Sequence, residues 1–193
     1  LRLTSLYLGL SDGARTNELR RASDGEISNE QIWQAYELGE EKAGDMLKDL
    51  GGSLEKAGFT VDNPHFNLIW LLDDFSGSGN TYIRYDGGSG KFKGKLPKIY
   101  QRLHQGGMVD PSHYEVFLML YTATRQAIDH IEYWSERFTT DFGFKPLQVR
   151  VLCPIEPEVA LSRTPNPELL ALLQNPAYCD NRVVDKHFRV GGT

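Results

Sequence analysis

The sequence is poor in the features that mark secreted, membrane-embedded or metal-structured proteins. It holds two cysteines, Cys153 and Cys179. That is too few for a disulfide framework, and neither stands in a C-x-x-C pair or near histidines at zinc spacing. A reducing, cytoplasmic compartment is the natural expectation. No apolar run approaches the roughly eighteen residues that a membrane-crossing helix needs. Nothing in the first residues reads as a secretory signal. Positive charge is not in excess either: 21 lysines and arginines face 26 aspartates and glutamates, for a net charge of −5. This balance argues against a duplex-DNA binder, which would present a basic face. His65, His104, His113, His130 and His187 are scattered with no pair at ligand spacing. Each is expected in the core or on the surface.

What is present suits one globular domain. The chain has 193 residues, 40% hydrophobic and 24% charged, enough to bury a sizeable core, so a single domain over 1–193 is expected. It opens on Leu1 within an apparent strand and closes at Arg189-Val190-Gly191-Gly192-Thr193 with no terminal helix or polar tail. It therefore reads as a piece of a longer protein.

Leu3 to Leu10 reads as a buried strand, followed by turn chemistry at Ser11-Asp12-Gly13. Asn17 to Arg21 could start a short helix. Ser28 with Gln31 forms the pattern of a capping box. It opens a predicted helix over Glu30 to Leu50 that stops at Gly51-Gly52. On that reading Trp33 and Tyr36 pack the helix against the sheet. Asn67 to Leu72, Tyr114 to Tyr121 and Leu147 to Leu152 are short apolar runs, as expected of strands in a parallel sheet. Helices are predicted over Lys95 to Gln105, Thr124 to Phe138 (with Thr122 as the cap) and Pro167 to Gln174. Strands alternating with helices imply crossover units, hence an α/β fold with a parallel sheet and helices on both faces. Ligands of such sheets bind beyond the carboxyl ends of the strands.

The chemistry sits in Leu71-Leu72-Asp73-Asp74-Phe75-Ser76-Gly77-Ser78-Gly79-Asn80-Thr81. An apolar strand delivers two carboxylates to its carboxyl end, and adjacent strand residues point to opposite faces. One can address a bound diol while the other turns to a metal ion, a cation or the supporting loop. Ser76 to Thr81 adds unobstructed backbone amides and three hydroxyls, a concave donor set that suits a phosphate. A helix beginning near Thr81 would add its dipole. The alternative is a strand-to-helix turn whose aspartates cap the next element. A P-loop is discounted, because the loop has no lysine and no Gly-Lys-Ser/Thr ending.

These residues resemble the type I phosphoribosyltransferases, whose fingerprint is an apolar strand, two acids and a Gly/Ser/Thr loop ending in Thr. The resemblance implies that Asp73 and Asp74 hold the ribose hydroxyls of phosphoribosyl pyrophosphate, with Mg²⁺, and that Ser76, Gly77, Ser78, Gly79, Asn80 and Thr81 bind the 5-phosphate. Leu6 to Arg15, about sixty residues upstream, has the form of the family's pyrophosphate loop, which implicates Ser11, Asp12, Gly13 and Arg15. The wording Leu10-Ser11-Asp12-Gly13-Ala14-Arg15, with Arg20-Arg21 after it, also looks like a branch of phosphoribosyltransferase-like domains found in bacterial conflict and phage-defence gene clusters. Candidate partners are then a nucleotide, a second copy of the chain, or a protein or nucleic acid of a defence complex.

The chain departs from the family pattern in two places. Asp86 to Gly94 intervenes as a glycine-rich insertion, and Gly77 stands where purine-specific members carry an acidic base. The insertion leads into Lys91, Lys93, Lys95, Lys98 and Arg102, which read as a solvated face or as a phosphate or RNA contact. Arg125, just after a strand, reads as an exposed first-turn arginine or a phosphate contact. Two functions follow: phosphoribosyl transfer to a base or other acceptor, or a non-catalytic module that senses a nucleotide.

Overall fold

Five strands form one sheet in the order β2-β1-β3-β6-β7. They are β1 (Ser5–Gly9), β2 (Ile32–Gln34), β3 (Leu68–Ser76), β6 (Glu115–Thr124) and β7 (Leu147–Ile155). The registered pairs β1–β2, β1–β3 and β3–β6 all run parallel. The helices between them are α1 (Thr16–Ala22), α2 (Glu40–Lys56), α3 (Lys95–Gln105) and α4 (Arg125–Phe142). A separate hairpin of β4 (Arg84–Asp86) and β5 (Lys91–Lys93) lies between β3 and α3. The computed structural model describes residues 2–159, 167–175 and 177. Cys179, His187 and the 189–193 terminus lie outside the described residues. The chain divides into two compact units, Leu1–Pro154 and Ile155–Thr193. The second holds α5 (Pro167–Gln174), as the sequence predicts.

Strand order explains where the core sits. From β1 the chain steps to one side to make β2, then crosses back to β3 and continues the other way to β6 and β7. Right-handed crossovers in opposite directions put α1 on one face and α2, α3 and α4 on the other. The α2–α4 face is the dry one. There Leu6, Ile69 and Val116 lie in register, as do Leu8, Leu71 and Leu118, and all six are fully buried. Leu96, Ile99, Tyr100 and Leu103 of α3, at helical spacing, close over them. On the opposite face the half-buried rings of Tyr7, Trp70 and Phe117 stack across three strands, with centroids 6.3 and 4.5 Å apart.

The predicted helix over Glu30 to Leu50 is corrected. Its capping box is real, with the Ser28 amide donating to Gln31 Oε1 at 3.1 Å, but it caps a single 3-10 turn, Asn29–Gln31. Ile32, Trp33 and Gln34 are then drawn into β2 by pairing with Tyr7, Leu8 and Gly9. Apolar residues at Ile32, Ala35 and Leu38 mimic helical spacing while lying in a strand, a second 3-10 turn and the extended residue after it. Trp33 does pack against the core, but Tyr36 is 67% exposed. The helix proper starts at Glu40 and buries Ala43, Met46, Leu50 and Leu54.

Gly51-Gly52 does not stop α2, since each glycine costs only about 1 kcal/mol inside a helix. The stop is Gly58, left-handed at φ 85°. Its amide donates to Glu55 O and that of Phe59 to Leu54 O, both at 2.9 Å, the paired bonds of a Schellman ending. The helix α4 begins one residue later than expected and runs on to Phe142, and its cap is Thr124 rather than Thr122. The first strand is shorter than predicted, while β3 extends through the acid pair to Ser76.

Candidate functional site

The sheet changes direction between β1 and β3, and this is where an open α/β sheet leaves a crevice for ligands. Both loops singled out in the sequence emerge there. The Leu10 amide donates to Leu72 O at 2.8 Å, so the chain leaving β1 stays zipped to β3 until just before the acid pair. Ser11 Oγ then donates to Asp73 Oδ1. Asp12–Ala14 forms a 3-10 turn, and Arg15 takes a left-handed conformation at φ 49° before α1 begins. The Tyr121 hydroxyl, on β6, ties the turn down by donating to Ala14 O at 2.8 Å.

The two aspartates play different parts because they point to opposite faces. Asp73 turns inward and is 2% exposed. Besides Ser11 it accepts from the Tyr82 hydroxyl at 2.7 Å and from Lys95 Nζ at 3.1 Å, both on Oδ2. Burial pushes its carboxyl up, but the bonds from Ser11, Tyr82 and Lys95 outweigh burial and hold it below the usual carboxylate value. Tyr82 is pushed the other way, by burial first and then by Asp73. Asp74 is exposed. Its Oδ1 accepts the Phe75 amide at 2.9 Å, and its carboxylate overhangs Gly13.

The Ser76–Thr81 loop is pinned at its flanks and open along its crest. Gly77 O accepts from Thr124 Oγ1 at 2.6 Å, and Thr124 Oγ1 in turn accepts the Ala127 amide as the cap of α4. Gly79 sits at φ 76° against α4, where a Cβ would come within 2.9 Å of Ala127 O. Ser76 is buried, whereas Ser78, Asn80 and Thr81 are exposed. None of the amides of Ser78, Gly79, Asn80 and Thr81 is taken by a protein acceptor among the described residues. No helix starts at Thr81. The chain turns at Gly79–Ile83, enters the hairpin and reaches a helix only at Lys95. The loop therefore offers free amides without the dipole of a helix starting at Thr81.

All the predicted residues thus gather at one sheet edge, though with unequal access. Ser11, Gly13, Asp73 and Asp74 are in mutual contact. Arg15 is exposed and engages Glu18 at 3.3 Å. Arg125 follows the Thr124 cap as the first residue of α4. Two members went unnoticed in the sequence. Tyr82 carries no motif beyond its place directly after the loop. Lys95 is hidden in a basic run, and only the hairpin's folding back brings it to Asp73, with its ammonium 5.3 Å from the Tyr82 ring centroid. Among the described residues no three His, Cys, Asp or Glu side chains cluster as a metal site. No helix there is long and apolar enough to cross a membrane. His104 and His130 serve the framework, against the Tyr114 hydroxyl at 2.9 Å and Ile83 O at 2.8 Å.

The chain matches no family model, and no curated protein or solved structure is significantly similar to it. The class that the fold defines is an α/β protein with a parallel sheet whose switch point carries an acid pair.

Proposed function

We propose that the protein binds phosphoribosyl pyrophosphate, or a nucleotide sharing its ribose 5-phosphate, at the carboxyl edge of β1 and β3. The observation that carries this reading is the run of unclaimed amides from Ser78 to Thr81 beside the exposed Asp74 carboxylate. The loop cradles the 5-phosphate, and Asp74 accepts from the ribose hydroxyls. The Ser11–Arg15 turn lies alongside, with Arg15 free to exchange Glu18 for a pyrophosphate oxygen. Asp73 acts through its partners: it fixes Ser11, Tyr82 and Lys95 around the pocket and keeps a buried negative charge behind Asp74.

Mg²⁺ fits this donor set as an ion shared between ligand and protein. It binds through one or two carboxylates plus substrate oxygens and retains waters, and Asp74 is the carboxylate free to contribute. Bound there, it would neutralise charge on the pyrophosphate. In the transferase form of the reading, a nucleophilic base attacks C1 as the C1–O bond breaks. Pyrophosphate departs with the bonding pair, and the base gives up its proton to solvent. The protein's share is positioning and charge stabilisation.

One observation favours a sensing role instead. The inward carboxylate is fully engaged, and Gly77 offers no acid to a base. Such a module would serve as the effector or sensor of a defence complex in the bacterial cytoplasm. Calorimetric titration of phosphoribosyl pyrophosphate with Mg²⁺ tests the binding itself: micromolar affinity lost in Asp74→Asn is expected, and no heat with the wild type would end the reading. Pyrophosphate release in the presence of bases then separates transferase from sensor.

A further inference from the structure

A cleft of about 770 Å³ lies between the β4–β5 hairpin and α3, bordered on its far side by the Ala35–Tyr36 turn. Six of its lining residues are cationic: Arg84, Lys91, Lys93, Lys95, Lys98 and Arg102. No carboxylate lines it among the described residues, in a chain whose net charge is −5. Two of the charges are answered locally, Lys93 by Asp86 and Lys95 by Asp73. Arg84 and Arg102 donate to the neutral carbonyls of Asn80 and Ala35, at 3.1 and 3.0 Å. Those bonds aim the guanidinium groups without cancelling their charge. Lys91 and Lys98 have no carboxylate within ion-pair distance among the described residues.

Four cations without a carboxylate partner on facing walls make a locally positive groove that favours an anionic ligand. The basic row along α3 from Lys95 to Arg102 is about 10 Å long, more than a single phosphate group covers. Tyr36 adds a second, independent feature. It lines the same cleft, is 67% exposed and meets no other ring among the described residues. A basic groove with an exposed aromatic at its rim is how proteins hold single strands, through backbone phosphates and a stacked base. We propose that this cleft binds single-stranded nucleic acid. The proposal rests on Lys91, Lys98, Arg84, Arg102 and Tyr36, none of which the ribose-phosphate reading uses, although Thr81 and Lys95 border both sites.

The test is fluorescence anisotropy of labelled oligothymidylate and oligouridylate of about twelve nucleotides with the full chain across a salt series. Binding that weakens steeply with salt is expected. Lys91→Gln/Lys98→Gln should lower the salt slope by about 1.4, two phosphate contacts' worth. Tyr36→Ala should weaken binding about tenfold at constant slope. All three side chains are exposed, so the variants should keep the wild-type circular dichroism. Phosphoribosyl pyrophosphate titrated into Lys91→Gln/Lys98→Gln should behave as in the wild type, which keeps the two readings separable. No binding at low salt overturns the proposal, as does binding that survives Lys91→Gln/Lys98→Gln. Displacement by tripolyphosphate or polyglutamate at matched charge also overturns it, by making the cleft a small-anion or acidic-peptide site.

Discussion

The carboxylate of Asp74 lies over the α-carbon of Gly13 so closely that a Cβ there would sit 2.1 Å from Oδ2. The upstream turn and the acid pair, distant in sequence, therefore share one wall of the crevice, and glycine is what permits it. The φ of Gly13 is not in the left-handed region. The requirement is space, not backbone freedom.

Gly13→Ala consequently strikes the site and spares the fold. Asp74 is exposed and can swing away, so the stability change should stay within about 1 kcal/mol in urea unfolding. On the proposed function, affinity for phosphoribosyl pyrophosphate should fall about tenfold, since a ribose-binding carboxylate displaced by an ångström would lose its bond.

Substituting each aspartate separates framework from ligand contact. Asp73→Ala leaves the Tyr82 hydroxyl and the Lys95 ammonium facing an emptied buried position, and should cost about 3 kcal/mol. Asp74→Ala should cost less than about 0.5 kcal/mol. Equal losses in chemical denaturation would mean that the two side chains are not divided as inside and outside.

Acid should act through Asp73. Its folded pKa is lowered, so the unfolded chain takes up the proton more readily as pH falls. The stabilisation is complete above about pH 4 and is lost as pH falls through the folded value. Asp73→Asn should therefore lower the Tm at neutral pH and flatten its dependence on pH below about 4.

A second acid-sensitive group lies on the other side of the core. His104 is held neutral by burial, beside the Tyr114 hydroxyl and with its ring 4.6 Å from that of Phe144. Because its folded pKa is lowered, stability is full above about pH 6.5 and declines as pH falls through the folded value. His104→Gln should remove the part of the Tm-versus-pH slope that sets in as pH falls below about 6.5.

Gly79→Ala should destabilise the protein by about 1–3 kcal/mol, because φ 76° and the approach to Ala127 O both oppose a side chain. It should also weaken phosphate binding, since Gly79 sets the curvature of the amide run. Denaturation and calorimetry on the same sample check both effects.

The acid pair, its loop and the upstream turn were legible because each rests on local chemistry: an apolar strand, then carboxylates, then small flexible residues. The alternating order of strands and helices was legible for the same reason. What escaped notice depends on distant partners. The pairing of Ile32 to Gln34 with β1 overrides a pattern that reads as helix. Gly51-Gly52 could stop a helix but does not, because Met46, Leu50 and Leu54 share one buried face that continues past it. The role of Lys95 could not be read from a run of lysines, since only the hairpin decides which of them turns inward.

The three side-chain donors to Asp73 come from the end of β1, the turn after β3 and the first residue of α3, and the first of these contacts spans 62 residues. Contacts of that span pay their loop-closure entropy before they return anything. The arrangement around Asp73 is therefore expected to form late in folding. The full set of Asp73 contacts requires that β1, β3 and α3 have all docked. The geometry around Asp73 is thus a gauge of cooperative folding.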